Sequence, residues 1–316
     1  MATLVLQDLE TYGPDRCARL GYEEASAYAH RLVRSQYENF TVVSGLLPGR
    51  FRDDFAHVYA FCRWADDLGD ETGDRARSLE LLAWWRGELE RCYAGQPRHP
   101  VFVALARTIE KRAIPAAPFH HLIDAFEQDQ RVTRYETWSR VVDYCTRSAD
   151  PVGRLVLYVC GFGDEARQSL SDATCTGLQL VNFWQDVRRD ILERDRIYVP
   201  AEALAAESLT HQRLIEHVKG ERLLSEPERQ AYRRVIRSLL DRTTPLFERG
   251  EGLLPLLPGD IGPSVRLFGM GGRAVCRAIQ HINYDTLDRR PSLSRAMKAG
   301  LAARALFGRL LRVGRA

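Results

Sequence analysis

The chain has 316 residues, of which 45% are hydrophobic and 28% are charged, and its formal net charge is +3 at pH 7. This composition supports a globular core, and so small a net charge gives no reason to expect a nucleic-acid partner. The sequence contains neither an N-terminal signal pattern nor a run of about 20 apolar residues, so we predict a cytoplasmic protein without a transmembrane helix.

The cysteines and histidines of the chain show no pattern that is typical of metal or disulfide chemistry. The seven cysteines are odd in number and form no CxxC pair, and the eight histidines form no HExxH pattern. We therefore predict neither a disulfide framework nor a zinc site, and we expect a reducing compartment.

Apolar residues recur at helical spacing along almost the whole chain, whereas alternating Val, Ile and Thr patterns bounded by turns are nearly absent. We therefore predict an all-α fold with helices over ten segments: 22–36, 53–68, 75–94, 101–111, 115–131, 138–148, 151–160, 165–190, 227–249 and 262–289. The least ordered parts are predicted to be residues 1–13, residues 201–225 and the C-terminal tail. No linker rich in Pro, Gly or Ser divides the chain, so we predict a single domain over 1–316, with its core at about 20–300 and a basic amphipathic tail at 301–316.

Two acidic segments, far apart along the chain, carry the strongest functional signal. One runs from Tyr59 to Asp70 and reads YAFCRWADDLGD, and the other runs from Gln179 to Asp190 and reads QLVNFWQDVRRD. In each segment, polar residues three or four positions apart share one helix face, while bulky apolar residues occupy most other angles. The two polar stripes consist of Tyr59, Arg63, Asp66 and Asp70 in the first segment and of Gln179, Asn182, Asp186 and Asp190 in the second.

The apolar neighbours decide between two interpretations of these stripes. An acidic stripe is most often a solvated helix face, but here both helices are predicted to be buried around their acids. Buried carboxylates need cations or hydrogen-bond donors, and Mg²⁺ binds one or two carboxylates together with substrate phosphates. We therefore predict that the two stripes point at each other and bind a diphosphate through magnesium.

Taken together, the two segments resemble the aspartate-rich motifs of the squalene/phytoene synthase family, a group of trans-isoprenoid diphosphate synthases. The run from Arg196 to Pro200, which reads RIYVP, resembles the Arg-x-Tyr-x-Pro continuation of the second motif. The resemblance covers roughly residues 20 to 300, and both motifs in this order are a specific signal. It implies an all-α isoprenoid synthase bundle with a central cavity.

The resemblance also implies roles for individual residues. Up to three Mg²⁺ ions would be held by the acids and the amide of the stripes, and two arginines would contact the diphosphate directly. The implied metal ligands are Asp66, Asp70, Asn182, Asp186 and Asp190, the implied diphosphate contacts are Arg63 and Arg189, and Tyr59 and Gln179 are expected to line the reaction site. Aromatic rings can stabilise a carbocation, and the candidates for such a wall are Tyr59, Tyr144, Phe40 and Tyr284, for each of which a plain core role is an equal alternative.

Three departures from the family pattern favour its hydroxysqualene synthase branch. Residues 37–40 read YENF, where many relatives carry a His-Ser-x-Ser-Phe-like phosphate-binding segment. Residues 144–154 read YCTRSADPVGR, where squalene and phytoene synthases carry a Val-Ala-Gly-x-Val-Gly-like run, and Pro151 is expected to kink the helix there. The third feature is Trp64 together with Gly69 inside the first motif.

An enzyme of this branch ionises presqualene diphosphate and quenches the rearranged carbocation with water. The polar groups from Ser148 to Asp150 would suit holding that water. No nicotinamide cofactor is expected. The alternative that stays open is a squalene, presqualene diphosphate or phytoene-type synthase, which condenses two prenyl diphosphates such as farnesyl diphosphate head to head.

Two rival classes of function have weaker support. The segments 161–166 and 269–274 both fit GxGxxA, but a dinucleotide site requires a preceding strand, which the sequence does not predict. A membrane-binding scaffold is favoured only by residues 304–315, where leucines and a phenylalanine oppose arginines on a helical wheel. Such a helix is typical of a peripheral contact with anionic lipid, here on the inner face of the membrane, and it is equally compatible with an enzyme that acts on an apolar substrate.

Overall fold

The computed structural model describes residues 3–35, 48–294, 297, 300 and 301, and the statements that follow concern these residues. The regular secondary structure of the described chain is helical and includes no strand, which confirms the predicted all-α fold. Its only ladder-type pairing is a single parallel bridge between Arg134 and Ile197. In chain order the helices are α1 (Leu4–Tyr12), α2 (Tyr22–Ser35), α3 (Arg52–Asp70), α4 (Arg75–Tyr93), α5 (Pro100–Arg112), α6 (Ala117–Asp129), α7 (Trp138–Ser148), α8 (Asp150–Val159), α9 (Glu165–Gln185), α10 (Val187–Arg194), α11 (Ala201–Ala205), α12 (His211–Val218), α13 (Glu226–Glu251) and α14 (Gly262–His281).

Two segments that the sequence predicted to be poorly ordered are helical, so that prediction is wrong for their described residues. Helix α1 lies within residues 1–13, and α11 and α12 lie within residues 201–225. Side-chain caps stabilise the starts of α1 and α12, since the hydroxyl of Thr3 accepts the Leu6 N–H and that of Thr210 accepts the Arg213 N–H.

Helix boundaries elsewhere agree with the predictions to within a few residues, with two exceptions. The helix predicted over 262–289 ends at His281, and the one predicted over 165–190 is divided at Asp186 into α9 and α10. The predicted boundary between the helices over 138–148 and 151–160 is confirmed, because α7 ends at Ser148 and α8 begins at Asp150. Of the two GxGxxA segments, 161–166 connects α8 to α9 and 269–274 lies inside α14.

By its internal contacts the described chain divides into two compact units. The first unit contains Met1–Arg131 and Pro151–Gln168, and the second contains Val132–Asp150 and Ser169–Ala316. The single domain expected over 1–316 stays a prediction. No helix among the described residues is long and apolar enough to cross a membrane.

The core of the first unit is built around the aromatic side chains of α3. Phe61 and Trp64 are fully buried, and the Trp64 ring stacks on Trp85 with 5.2 Å between ring centroids. The Trp64 indole N–H donates to the Tyr28 hydroxyl at 3.1 Å, and that hydroxyl donates to Asp8 at 2.6 Å. Trp64, which the sequence singled out for its position in the motif, is therefore a core residue.

The core of the second unit is built around α9 and α13. The fully buried Trp184 donates its indole N–H to the Thr243 hydroxyl at 2.9 Å. The Phe247 ring packs against Gly177 and Gly272. A Cβ at Gly272 would collide with this ring. Both acidic segments are thus anchored by a buried tryptophan whose polar atom is satisfied by a hydroxyl.

Candidate active site

After the exposed residues Arg52 and Asp53, the first polar stripe is the least buried part of α3. From Asp54 to Asp70 every residue is buried except Tyr59, Cys62, Arg63, Asp66 and Asp70, which are partly exposed. These five side chains follow one another at spacings of three, one, three and four, so they form one continuous face. The sequence prediction of a polar face on an otherwise buried helix is confirmed for this segment.

Arg63 pairs with Asp67, an acid of α3 that the predicted stripe does not include. Its guanidinium pairs with both carboxylate oxygens of Asp67, with Nε to Oδ2 at 3.2 Å, and one nitrogen lies 3.6 Å from Asp66 Oδ2. The Asp67 side chain is 1% exposed, whereas that of Asp66 is 47% exposed. Burial raises the pKa of Asp67 and Arg63 opposes that shift, so Arg63 neutralises a buried acid while Asp66 stays accessible.

Two further residues of the first stripe have shifted acidities. Burial raises the pKa of Cys62 to about 12, with the charge of Asp66 adding to the effect, so this thiol stays protonated at neutral pH. Burial also raises the pKa of the Tyr59 hydroxyl, which Arg63 opposes. The stripe therefore offers neutral thiol and phenol groups beside its carboxylates.

The second stripe has the same layout on α9. Between Ser171 and Gln185 the residues that are not buried are Asp172, Cys175, Leu178, Gln179 and Asn182. Gln179 is partly exposed, Asn182 is exposed, and the partly exposed Asp186 follows one turn later. The predicted polar face is confirmed for Gln179 and Asn182 on α9, but the single helical stripe predicted to reach Asp190 is interrupted at Asp186.

Asp186 lies at the junction of α9 and α10, in a backbone conformation outside the helical region (φ −104°, ψ 13°). Arg290 binds its carboxylate with both ends of the guanidinium, at 2.6 Å from Nε to Oδ1 and 3.1 Å from Nη2 to Oδ2. Gln185 and Arg188 donate to the carbonyls of Pro291 and Leu287, so three residues around the junction hold the segment 287–291. Arg290 was not predicted as a site residue, because nothing in its local pattern distinguishes it from Arg289.

The remaining acid and arginine of the second motif are on α10. Burial, together with the charge of Asp186, raises the pKa of Asp190 to about 7. Arg189 is about half exposed and pairs with Glu193 one turn later at 2.8 Å. The predicted contact of Arg189 with a diphosphate stays a prediction.

An aromatic cluster adjoins α9 within the second unit. Tyr198, from the RIYVP run, stacks on Phe183 with 3.7 Å between centroids and an interplanar angle of 7°. Tyr144 lies 6.0 Å from Phe183 and 5.7 Å from Tyr198, and Tyr135 completes the group. Backbone pairing of Ile197 with Thr133, and of Ala201 with Tyr135, holds this cluster in place.

The elbow between α7 and α8 contains the polar residues that distinguish this chain from the family pattern. Arg147 pairs with Asp143 on its own helix at 2.7 Å. Asp150 is buried and accepts the Thr176 hydroxyl at 2.7 Å. The Ser148 Oγ is buried and has no hydrogen-bond partner among the described residues.

The remaining predicted features are the segment 37–40 with Phe40, the C-terminal tail and Tyr284. Phe40, the segment 37–40 and the amphipathic tail 304–315 lie outside the described residues. Tyr284 is partly buried in the turn that follows α14, at a positive φ of 60°. Its proposed role as an aromatic wall stays a prediction, as does the expectation that the two stripes face each other.

Comparison with known proteins identifies the family. The sequence profile of the squalene/phytoene synthase family matches residues 33–297. The chain belongs to the squalene/phytoene synthase family. It is therefore a member of a family of isoprenoid synthases, enzymes that act on prenyl diphosphates.

Proteins named hydroxysqualene synthase and proteins named phytoene synthase are both similar to this chain. The hydroxysqualene synthase of Zymomonas mobilis is 31% identical over 87% of this chain and 89% of that protein, and the phytoene synthase of Thermus thermophilus is 32% identical over 87% and 92%. The hydroxysqualene synthase of Sinorhizobium fredii is 37% identical, over 54% of this chain and 57% of that protein. Among solved structures, the squalene synthase HpnC from Alicyclobacillus acidocaldarius is 41% identical, with a TM-score of 0.75 over 84% of this chain and 96% of that one.

The donor set of the two stripes fits magnesium that is shared with a diphosphate. Within the described residues, no three His, Cys, Asp or Glu side chains come close enough together to hold one ion. Each stripe does provide oxygen donors on a partly exposed face, which suits Mg²⁺, because this ion retains waters and takes one or two carboxylates plus substrate phosphates. A metal at Asp186 would have to share or replace the guanidinium of Arg290.

Proposed function

We propose that this synthase is a magnesium-dependent hydroxysqualene synthase, which converts presqualene diphosphate and water into hydroxysqualene and diphosphate. The observation that carries the proposal is the pair of partly exposed polar stripes on otherwise buried helices, in a chain of this family. Relatives named hydroxysqualene synthase at 31% to 39% identity support the choice of reaction.

The proposed chemistry gives each stripe a task toward the diphosphate. Magnesium, when bound, would neutralise charge on the departing diphosphate. Asp66 and Asp70 would bind it from the first stripe, and Asn182, Asp186 and Asp190 from the second. Arg63 and Arg189 would add fixed positive charge, because guanidinium groups match the geometry of phosphate oxygens.

The aromatic cluster of the second unit would face the carbocation. The rings of Tyr144, Phe183 and Tyr198 pack within about 6 Å of one another, and the face of such a ring attracts positive charge. The same rings would exclude stray water, so a water must be placed by a polar group if an alcohol is to form. Tyr59 and Gln179 would line the same reaction site.

The deciding experiment is product analysis by mass spectrometry. Purified protein with Mg²⁺ is given presqualene diphosphate or farnesyl diphosphate, each with and without NADPH. We expect hydroxysqualene from presqualene diphosphate without NADPH, and no turnover after chelation of the metal by EDTA. Formation of squalene alone, and only in the presence of NADPH, would exclude the proposal.

A second candidate function is a head-to-head condensation of two prenyl diphosphates, as in a phytoene or presqualene diphosphate synthase. The similarity to the Thermus thermophilus phytoene synthase over 87% of this chain favours it. Rapid consumption of farnesyl diphosphate, with presqualene diphosphate left unchanged, would establish this alternative.

We further propose that the enzyme is cytoplasmic and contacts the membrane peripherally through residues 304–315. The opposed apolar and basic faces of that segment support this location. Flotation with anionic liposomes, compared between the full chain and a chain that ends at Leu293, tests it. We expect only the full chain to float, and equal flotation of both would contradict the idea.

A further inference from the structure

Among the described residues of the second unit, the Ser148 hydroxyl is one of three buried polar groups without a hydrogen-bond partner, the others being Arg233 Nε and Ser264 Oγ. Its Oγ is shielded from solvent and has no hydrogen-bond partner among the described residues. Buried hydroxyls are nearly always bonded, and those without a protein partner commonly bind an ordered water. Ser148 therefore marks a position where a water molecule has a specific binding group.

Two contacts locate Ser148 relative to the second stripe. Tyr144, one helical turn before Ser148 and thus on the same face of α7, packs against Phe183 at 6.0 Å. Asp150, two residues after Ser148, accepts the Thr176 hydroxyl at 2.7 Å. Ser148 lies in the chain between Tyr144 and Asp150, both of which contact side chains of α9.

The other polar groups of the elbow are already engaged. Arg147 is paired with Asp143, and the Thr146 hydroxyl donates to the Asp143 carbonyl at 2.6 Å. Asp150 is held by Thr176. Of the polar side chains from Thr146 to Asp150, Ser148 is the one whose hydrogen-bonding capacity no described residue uses.

We propose that Ser148 is the positioning residue for the water that quenches the carbocation, an inference that rests on the proposed hydroxysqualene synthase function. The water oxygen donates a lone pair to the cationic carbon and forms the C–O bond of the alcohol. The water then loses one proton, which passes to an oxygen of the released diphosphate. Ser148 keeps its own proton throughout and fixes the water by a hydrogen bond.

The test is the product ratio of Ser148 variants with presqualene diphosphate and Mg²⁺. Without a placed water the cation loses a proton instead, so a hydrocarbon replaces the alcohol. We expect Ser148→Ala to lower the ratio of hydroxysqualene to hydrocarbon about tenfold, the worth of one hydrogen bond, while substrate consumption changes much less. Ser148→Thr, which keeps the hydroxyl, is expected to retain the alcohol as main product.

Two further variants separate this role from a structural one. Thr146→Val removes an exposed hydroxyl two residues away and is expected to leave the ratio unchanged. Ser148→Cys fills the same position with a slightly larger thiol, which is only a weak hydrogen-bonding group, so it is expected to shift the ratio as Ser148→Ala does. It also provides the measurement if Ser148→Ala does not fold.

Each outcome bears on a different claim. An unchanged product ratio in Ser148→Ala and Ser148→Cys would overturn the role of Ser148 and leave the proposed function standing. A wild-type protein that forms no hydroxysqualene would overturn the proposed function, and with it this inference.

Discussion

The two polar stripes share a format but are supported in different ways. In the first, α3 is continuous, and the stabilising ion pair joins Arg63 to Asp67 one turn along the same helix. In the second, the helix is interrupted at Asp186, and the stabilising ion pair joins that acid to Arg290, which is 104 residues away. Asp67, the acid of the first pair, is only 1% exposed, whereas Arg290, the arginine of the second pair, is half exposed.

The two stripes therefore differ in the arginine that neutralises the acid, which is local in the first stripe and distant in the second. Asp67 is deep in the core and depends on its arginine, which leaves Asp66 and Asp70 accessible for metal. Asp186 is itself the predicted metal ligand, and its guanidinium partner is half exposed at the surface. The Arg63–Asp67 pair, formed within one helix, therefore stabilises the first stripe. The Arg290–Asp186 pair, formed between distant segments, engages a predicted metal ligand of the second stripe.

The largest expected effect comes from removing a ligand charge in either stripe. Asp66→Asn and Asp186→Asn are each expected to lower kcat about 10²- to 10³-fold, the usual loss when one electrostatic group of a preorganised site is removed. The measurement is turnover of presqualene diphosphate with Mg²⁺, and circular dichroism checks that the fold is retained. Glu80→Gln, on the exposed face of α4, is the control. Near-normal activity in both variants would exclude the metal role of the stripes.

The second prediction compares the two arginines directly. Arg63→Met leaves the buried Asp67 without its partner and is expected to lower the free energy of unfolding by about 3 kcal/mol, since an unpaired buried charge is costly. Arg290→Met removes a half-exposed partner and is expected to cost less than about 1 kcal/mol. Urea denaturation of both variants at pH 8 measures the difference. Equal losses would mean that the two pairs are equivalent supports.

The third prediction concerns the pH dependence of stability that arises from His57, a buried residue of α3. The Thr108 hydroxyl donates to Asp54, so His57 donates Nδ1–H to Thr108 and accepts the Ser26 hydroxyl at Nε2, which requires a neutral ring. Burial lowers the pKa of His57 to about 4. Its contribution is therefore complete above about pH 6.5, the ordinary value for histidine, and is lost as the pH falls toward 4.

The slope of stability against pH checks this expectation. In the wild type the free energy of unfolding is expected to fall by up to about 1.4 kcal/mol per pH unit from His57 between pH 6.5 and 4. His57→Gln is expected to flatten that part of the curve, and the exposed control His281→Gln is expected to leave it unchanged. A variant curve parallel to that of the wild type would contradict the assignment.

The smallest expected effect tests the packing behind the first stripe. A Cβ at Gly69 would lie 3.3 Å from the Phe126 side chain, whereas a Cβ at Gly87 in α4 would meet nothing within 4 Å. Both substitutions to alanine gain helix propensity, but only Gly69→Ala crowds its neighbour. We expect Gly87→Ala to be the more stable of the two by about 1–2 kcal/mol, as measured by urea denaturation. Equal stabilities would indicate that Phe126 can move aside freely.

The comparison of the stripes also separates what periodicity could predict from what it could not. The polar faces from Tyr59 to Asp70 and from Gln179 to Asp186 were predictable, because residues three and four apart share a helix face whatever the helix packs against. The interruption at Asp186 was not predictable, since it coincides with contacts to residues 287–291, which lie about a hundred positions away. The helices α1, α11 and α12 were missed because helices of nine, five and eight residues carry little periodic signal.

The sequence by itself determined the all-α class, the family, and the two sets of oxygen donors, because composition, helical spacing and motif order are properties of neighbouring residues. The tertiary structure decided which charges are already paired: Arg63 with Asp67, Asp186 with Arg290, and Asp150 with the Thr176 hydroxyl. It also decided that the Ser148 hydroxyl is buried without a partner among the described residues. Two of these pairings, and the burial of Ser148, depend on segments that meet only after folding, which no local pattern encodes.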